Sequence, residues 1–221
     1  MNGPTDDEVM AAMSAPDERM EPEAEAGVFV PDEPVILKKG GTFTELRLRE
    51  PTVFETLYAA KVIGRRATQE SIYDSQIDLV ARVSKWPVVA VHMLGARMLD
   101  EAVDFLSRFE QEARRPADAD PDLSPSLTLQ FLPPIEAVNQ TFPSMSLRPP
   151  TVGERRPYKA AETRGTAEAF LQAEIDLVRA VSEWPPAAVL KMPISQFARA
   201  SDYLTGFFTP GPGTGSSFLP S

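Results

Sequence analysis

Few side chains in this sequence are suited to chemistry. The 221 residues include no cysteine and a single histidine, His92. Disulfides, thiolate metal sites and cysteine nucleophiles are therefore excluded, and so is a histidine-rich metal site. A serine–histidine triad would have to use His92. Glycine-rich phosphate loops and nucleophile elbows are also missing from the sequence. The residue types thus favour a binding or assembly role over catalysis.

Four aspartates recur in pairs, at equivalent places in two similar stretches of sequence. Asp78 matches Asp176, and Asp104 matches Asp202. Carboxylates in such pairs can catalyse reactions or bind cations. Here no further acid lies at a spacing suited to metal ligands, and no base accompanies them. We interpret the four aspartates as charges on helix surfaces.

Two tryptophans, Trp86 and Trp184, are the other candidates, because an exposed indole can serve as a platform for a ligand. Each is followed by proline at a predicted junction between helices. A tryptophan in this position more often anchors a core, since it buries a large area. His92 aligns with Leu190, so the histidine is not repeated and we interpret it as incidental. The sequence therefore predicts no catalytic, cofactor-binding or metal-binding residue.

The chain contains an internal duplication. Residues 48–55 read LREPTVFE and residues 147–154 read LRPPTVGE, with six of eight positions identical. Residues 76–91 read QIDLVARVSKWPVVAV and residues 174–189 read EIDLVRAVSEWPPAAV, with ten of sixteen identical. The offset is 99 in the first pair and 98 in the second. Order, spacing and residue type agree, which indicates two tandem copies of one module.

A β-hairpin is predicted to open each copy. Gly40-Gly41 suits the turn of the first hairpin, where a positive φ is needed. Pro133 and Pro134 predict a longer connection in the second. The predicted strands are Val35–Leu37 and Phe43–Arg49 in the first copy, and Leu127–Phe131 and Thr141–Leu147 in the second. If the two hairpins joined in one sheet, they would be related by a pseudo-twofold axis.

Helices follow each hairpin. Thr52 with Glu55, and Thr151 with Glu154, have the spacing of a capping box, which predicts a helix beginning at each threonine. The further predicted helices are residues 69–84 and 166–182, a short helix after each Trp-Pro pair, and residues 97–111 and 194–207. The fold class is therefore α+β, with two tandem copies of a β-hairpin and three to four short helices, pseudo-twofold related.

Charge and proline content define the predicted domain organisation. The net charge is −10, and most of it lies before residue 34. An acidic, proline-containing N-terminus without a packed pattern is typical of a flexible segment. The predicted division is an acidic flexible tail over residues 1–31, modules over 32–115 and 125–208, a linker over 116–124, and a flexible tail over 209–221.

The same charge pattern limits the classes of partner. No basic stripe is available for phosphates, so we expect no nucleic-acid binding. No apolar run approaches the roughly 18 residues of a membrane span, and the acidic start is unlike a secretory signal. We therefore expect a soluble protein that acts through contacts with other proteins.

The repeated segments resemble the tail assembly chaperones of tailed bacteriophages. Residues 48–52, 77–87 and 104–106 carry this resemblance in the first copy, and residues 147–151, 175–185 and 202–204 carry it in the second. The resemblance covers about three-quarters of the chain. Members of the family usually have a single module, whereas this chain has two.

The resemblance implies a non-catalytic function in the host cytoplasm. The protein would bind the tape measure, the tail-tube proteins or both, and would keep the tape measure from aggregating during tail assembly. The alternative is a structural baseplate or tail component that is retained in the virion, and a host-directed regulatory adaptor is a third class. A homo-oligomer is compatible with the sequence, although tandem copies can also act as an internal dimer.

Overall fold

The computed structural model describes residues 27–38 and 40–208. The predicted acidic tail up to residue 26 and the predicted C-terminal tail lie outside these residues. Within the described part, the chain forms six strands and eight helices. They are β1 Gly27–Phe29, β2 Val35–Leu37, β3 Gly41–Phe43, β4 Leu46–Leu48, α1 Val53–Ile63, α2 Gln69–Ser84, α3 Val88–Val91, α4 Ala96–Ala113, β5 Leu127–Ala137, β6 Gln140–Leu147, α5 Val152–Arg164, α6 Ala167–Ser182, α7 Pro186–Leu190 and α8 Ile194–Gly206. The α+β class and the two repeated halves are confirmed.

The first half has an interrupted hairpin. β2 pairs with β3, and β1 pairs with β4, both antiparallel. The sequence predicted one strand over residues 43–49, but the chain leaves the ladder at Thr44 and Glu45. It also placed residues 27–29 in the flexible tail, whereas they form β1. The apolar side chains Val28 and Phe29 follow directly on an acidic stretch, which hid this short strand.

The second half has a continuous hairpin. β5 pairs with β6 from Leu127 to Gln130 and again from Ile135 to Ala137, with a register irregularity between these two stretches. The predicted long connection is therefore wrong, because the strand continues past the two prolines to Ala137. The turn consists of two residues, Val138 and Asn139, with φ of 47° and 58°. Positive φ at both positions is the type I′ geometry that matches the twist of a hairpin.

The hairpins of the two halves remain separate. Each of the three two-stranded ladders in the described residues pairs strands of the same half. The hypothesis of one sheet shared across a pseudo-twofold axis is therefore wrong. The apolar faces of the hairpins are instead covered by helices of the chain. Leu46 and Leu48 belong to one hydrophobic core, whereas Leu129 and Met145 belong to the other.

Both predicted capping boxes are present. The Thr52 N–H donates to Glu55 Oε2 at 2.8 Å, and the Thr151 N–H donates to Glu154 Oε2 at 2.7 Å. Each glutamate N–H returns a bond to the threonine hydroxyl. An arginine at the end of the preceding strand pairs with each glutamate, Arg49 with Glu55 at 2.6 Å and Arg148 with Glu154 at 2.7 Å. Each ion pair links the residue after the strand to the first turn of the helix.

The two halves differ in how their first helices, α1 and α5, are packed. α1 packs on α2, and it also contacts α6, α7 and α8 of the other half. Its buried side chains Val53, Phe54 and Leu57 all belong to the core of the second half. In contrast, α5 contributes one buried residue, Ala161, and packs on α6. The halves are therefore joined by a helix of the first repeat inserted into the second.

The equivalent last helices of the two halves, α4 and α8, pack against each other. Charged side chains bridge the halves nearby, with Arg114 Nη2 3.4 Å from Glu174 Oε2 and Arg115 Nε 3.6 Å from Asp202 Oδ2. Burial raises the pKa of Glu174 despite the opposing effect of Arg114. The carboxylate of Glu174 is thus held in an environment that penalises its charge.

A candidate partner-binding surface

The repeated aspartates lie on helix surfaces and face arginines. Asp78 pairs with Arg82 on α2 at 2.5 Å, and Asp104 pairs with Arg108 on α4 at 3.4 Å. In the second half, Asp176 pairs with an arginine of its own helix and Asp202 pairs with Arg115. No group of three or more potential metal-ligating side chains occurs among the residues that the structure describes. The four aspartates therefore occupy ion pairs and do not converge.

The two tryptophans are anchors of the two cores. Trp86 and Trp184 are each 8% exposed. The Trp86 ring lies 4.9 Å from the Phe43 ring, and the Trp184 ring lies 4.8 Å from the Phe142 ring. Each indole therefore closes one hairpin onto the helices of its half. These contacts leave the rings unsuited to stacking on a ligand.

An exposed apolar surface remains after these assignments. We call it the apolar patch, and it consists of Ile36, Val88, Val89 and Met93. These four side chains are between 42% and 64% exposed. Ile36, Val89 and Met93 line one groove together with Leu37, Lys38 and Pro87. His92, the histidine singled out in the sequence, is exposed beside the patch.

Local structure explains why these side chains face solvent. In β2 successive side chains alternate between the two faces, so Val35 is buried while Ile36 points outward. The Trp-Pro junction starts α3, which has two buried residues, Ala90 and Val91, in its single turn. Val88 and Val89 then lie on its outer side. The patch is thus held by a strand and a helix packed on the same core.

The second half has no equivalent patch. By the strand register, Ile36 opposite Thr42 corresponds to Glu136 opposite Thr141. With the offset of 98, Met93 corresponds to Lys191. The positions of Val88 and Val89 are held by Pro186 and Ala187, which are partly buried. The same module therefore carries a charged or smaller surface in one copy and an apolar one in the other. Exposed apolar clusters of this kind commonly mark interaction sites.

Sequence reasoning did not find this patch. The signal was present in the alignment of the two copies, where an apolar residue in the first replaces a charged residue in the second. To use this signal, one must know that Ile36 and Glu136 occupy equivalent positions in the two hairpins, and the predicted strand boundaries did not show that. One must also know that one turn of α3 exposes two adjacent valines.

Within the described residues, no helix has the length and apolar character needed to cross a membrane. A family model described as phage tail assembly chaperone proteins, E, or 41 or 14, matches residues 28–111 and again residues 127–209. The two matches coincide with the two repeats and together cover about three-quarters of the chain. No curated protein and no solved structure gives a significant match.

Proposed function

The chain belongs to the phage tail assembly chaperone family, and membership indicates a non-catalytic role in building phage tails. From this premise we propose that it binds the tape measure protein or tail-tube components during tail morphogenesis. The apolar patch on the first half is the observation that carries this proposal. The protein would act in the host cytoplasm, where the tail is assembled.

The chemistry of the patch fits a partner with an apolar helical face. Ile36, Val89 and Met93 are branched or flexible apolar side chains around one groove, and methionine adapts to partners of different shape. Lys38 lies at the edge of the groove and offers a positive charge to the polar side of such a helix. An amphipathic helix presents apolar side chains at intervals of three and four residues, which is the pattern a groove accepts.

The second repeat supplies substitutions for a test that should leave the fold intact. Ile36→Glu and Met93→Lys place on the first repeat the residues that the second repeat carries at the same positions. The tape measure of the same phage is co-expressed with each variant, and its soluble, co-purifying fraction is measured. We expect each substitution to reduce that fraction several-fold, and the double variant to abolish it.

Leu132→Glu is the matched control. Leu132 is 94% exposed on β5 of the second half, outside the apolar patch. This substitution removes an exposed apolar side chain and adds a charge without touching the patch, so it should leave tape-measure binding unchanged. Normal binding by the Ile36→Glu and Met93→Lys double variant would contradict the proposed role of the patch.

The alternative, a baseplate or tail component that stays in the virion, differs in where the protein is found. Mass spectrometry of purified particles, beside a lysate of infected cells, separates the two. We expect the protein in the lysate and its absence from particles. A fixed copy number per particle would instead establish a retained structural component.

A further inference from the structure

A short backbone contact forms part of the joint between the two halves. The Val53 N–H donates to the Met192 carbonyl at 3.0 Å, and the Ile194 N–H donates to the Pro51 carbonyl at 2.8 Å. The Glu50 carboxylate accepts from the Ser195 N–H at 2.7 Å and so caps α8. The hydrogen bonds thus run in both directions. We call the start of α1 the donor edge, because the first half contributes it to the second, and we call the loop before α8 the acceptor edge.

The duplication gives the chain a second copy of the donor edge. Pro150-Thr151-Val152 at the start of α5 repeats Pro51-Thr52-Val53 residue for residue. Its capping box holds the same conformation, with the threonine in the extended region at the N-cap. Yet Val152 is 88% exposed, whereas Val53 is 0% exposed. This donor edge has the shape of the buried one, but no acceptor contacts it among the residues that the structure describes.

The acceptor edge is duplicated as well. Met192-Pro193-Ile194 corresponds to Leu94-Gly95-Ala96, between α3 and α4. Met192 and Ile194, which contact the donor edge, are buried, but Gly95 and Ala96 are exposed. α4 begins at Gly95 without a side-chain cap, whereas α8 is capped by Glu50 from the first repeat. Within residues 27–38 and 40–208, the acceptor edge of the first half and the donor edge of the second are thus both open.

We propose that a second copy of this chain docks the start of its α5, Pro150 to Val152, onto the open edge Leu94 to Ala96 of the first copy. The contact repeats between molecules the one that joins the two halves within a molecule. Because donor and acceptor are different surfaces of one chain, the interface is heterologous, and it generates rings or open chains.

Side chains around the two open edges make this contact weaker than the internal one. Gly153 and Arg156 occupy the positions of Phe54 and Leu57 on the donor helix, and Ala96 occupies the position of Ile194 on the acceptor. Less apolar area is therefore buried, which is typical of a reversible interface rather than an obligate one. The arginine would lie along α2, which exposes acidic side chains near its start, so the association should weaken as salt is added.

The test is the oligomeric state of the full chain by analytical ultracentrifugation, up to about 1 mM. Wild-type protein is expected to associate with increasing concentration. Val152→Asp on the donor edge and Ala96→Glu on the acceptor edge are each expected to weaken association at least tenfold. Both substitutions place an acid in the first turn of a helix, where the dipole favours it, so neither should unfold the chain.

A mixture of the two variants gives the sharpest result. Val152→Asp keeps its acceptor and Ala96→Glu keeps its donor, so an equimolar mixture should form a one-to-one dimer and nothing larger. Val138→Asp, at an exposed turn of the second half, should associate like wild type. Either monomeric wild-type protein over the whole range or a monomeric mixture would overturn the proposal.

The alternative occupant of these edges is an unrelated tail protein, and a third possibility is association through the apolar patch. Association that survives both edge substitutions but is lost in Met93→Lys would place the interface on the patch and overturn the proposal. Val152→Asp should still bind the tape measure, because it leaves the patch untouched. Failure of self-association and failure of the proposed function are therefore distinguishable.

Discussion

Val53→Ala should destabilise the half of the protein to which Val53 does not belong by sequence. Val53 lies in the first repeat, but its side chain is fully buried in the core of the second half. Val83, on α2, is a buried valine of the same repeat in the core of the first half. The pair Val53→Ala and Val83→Ala makes the same chemical change in the same repeat but in different cores.

The expected magnitude follows from the burial. Changing valine to alanine removes two buried carbons, worth about 0.8 kcal/mol each, and a partly collapsed cavity adds a comparable cost, for a total of about 2–3 kcal/mol. Where exchange reports the opening of the affected core, this corresponds to amide exchange about 30- to 150-fold faster. Val152→Ala, at the equivalent exposed position of the second repeat, should change stability by less than about 0.5 kcal/mol.

Native-state hydrogen exchange read by mass spectrometry separates the two halves without any probe. For Val53→Ala, we expect faster exchange in peptides from α7 and α8. For Val83→Ala, we expect it in peptides from α3 and α4. The reasoning is refuted if Val53→Ala accelerates α3 and α4 while leaving α7 and α8 unchanged, because α1 would then pack on its own repeat.

Three further predictions concern charge and backbone conformation, each measured by urea unfolding. The Arg148 guanidinium, together with hydrogen bonds from the capping threonine, lowers the pKa of Glu154 from 4.5 to about 2. The Glu154 carboxylate should therefore stabilise the folded state above pH 4.5, and this stabilisation should be lost as the pH falls toward 2. Because Arg148 is half-exposed, we expect only about 1 kcal/mol, and Glu154→Gln should remove this pH dependence. Burial raises the pKa of Glu174 above its ordinary value of 4.5, so ionisation of this group should lower the free energy of unfolding as the pH rises above about 4.5. If the free energy of unfolding were independent of pH in wild type but not in Glu174→Gln, this prediction would be contradicted. Val138 is β-branched with φ of 47°, so Val138→Asn should stabilise the hairpin by about 1 kcal/mol, and an unchanged midpoint would show that the turn is unstrained.

Local chemistry made the helices predictable. A capping box needs two residues three apart, so the sequence placed the starts of α1 and α5 within one residue. A Trp-Pro pair ends one helix and starts the next, so the sequence also located the short helices α3 and α7. The strands were less predictable because each is short in the first half. β1 contains three residues, and its partner β4 lies 17 residues beyond it, so nothing local distinguishes it from the acidic stretch before it.

The packing of α1 in the core of the second half could not be predicted from the sequence of one repeat. The sequences Pro51-Thr52-Val53 and Pro150-Thr151-Val152 are the same, and both form the same cap, yet one is buried and the other exposed. The two segments differ in their contacts with a distant part of the chain, because only the first is hydrogen-bonded to the loop before α8. A pattern of period 3.6 or 2 identifies which face of an element is apolar, but it does not identify which of two similar cores that face will enter.

The duplication itself explains why the two copies have diverged. A chain with one such module can make the contact between a donor edge and an acceptor edge only with another molecule, whereas a fused pair makes one such contact internally, at a high effective concentration. The donor helix of the internal contact carries Phe54 and Leu57, which are buried. On the other donor helix, Gly153 and Arg156 occupy those positions and are exposed. Among the described residues, Val152 and the apolar patch are two exposed apolar features, and the proposed second copy and the proposed tail protein are the partners that would cover them.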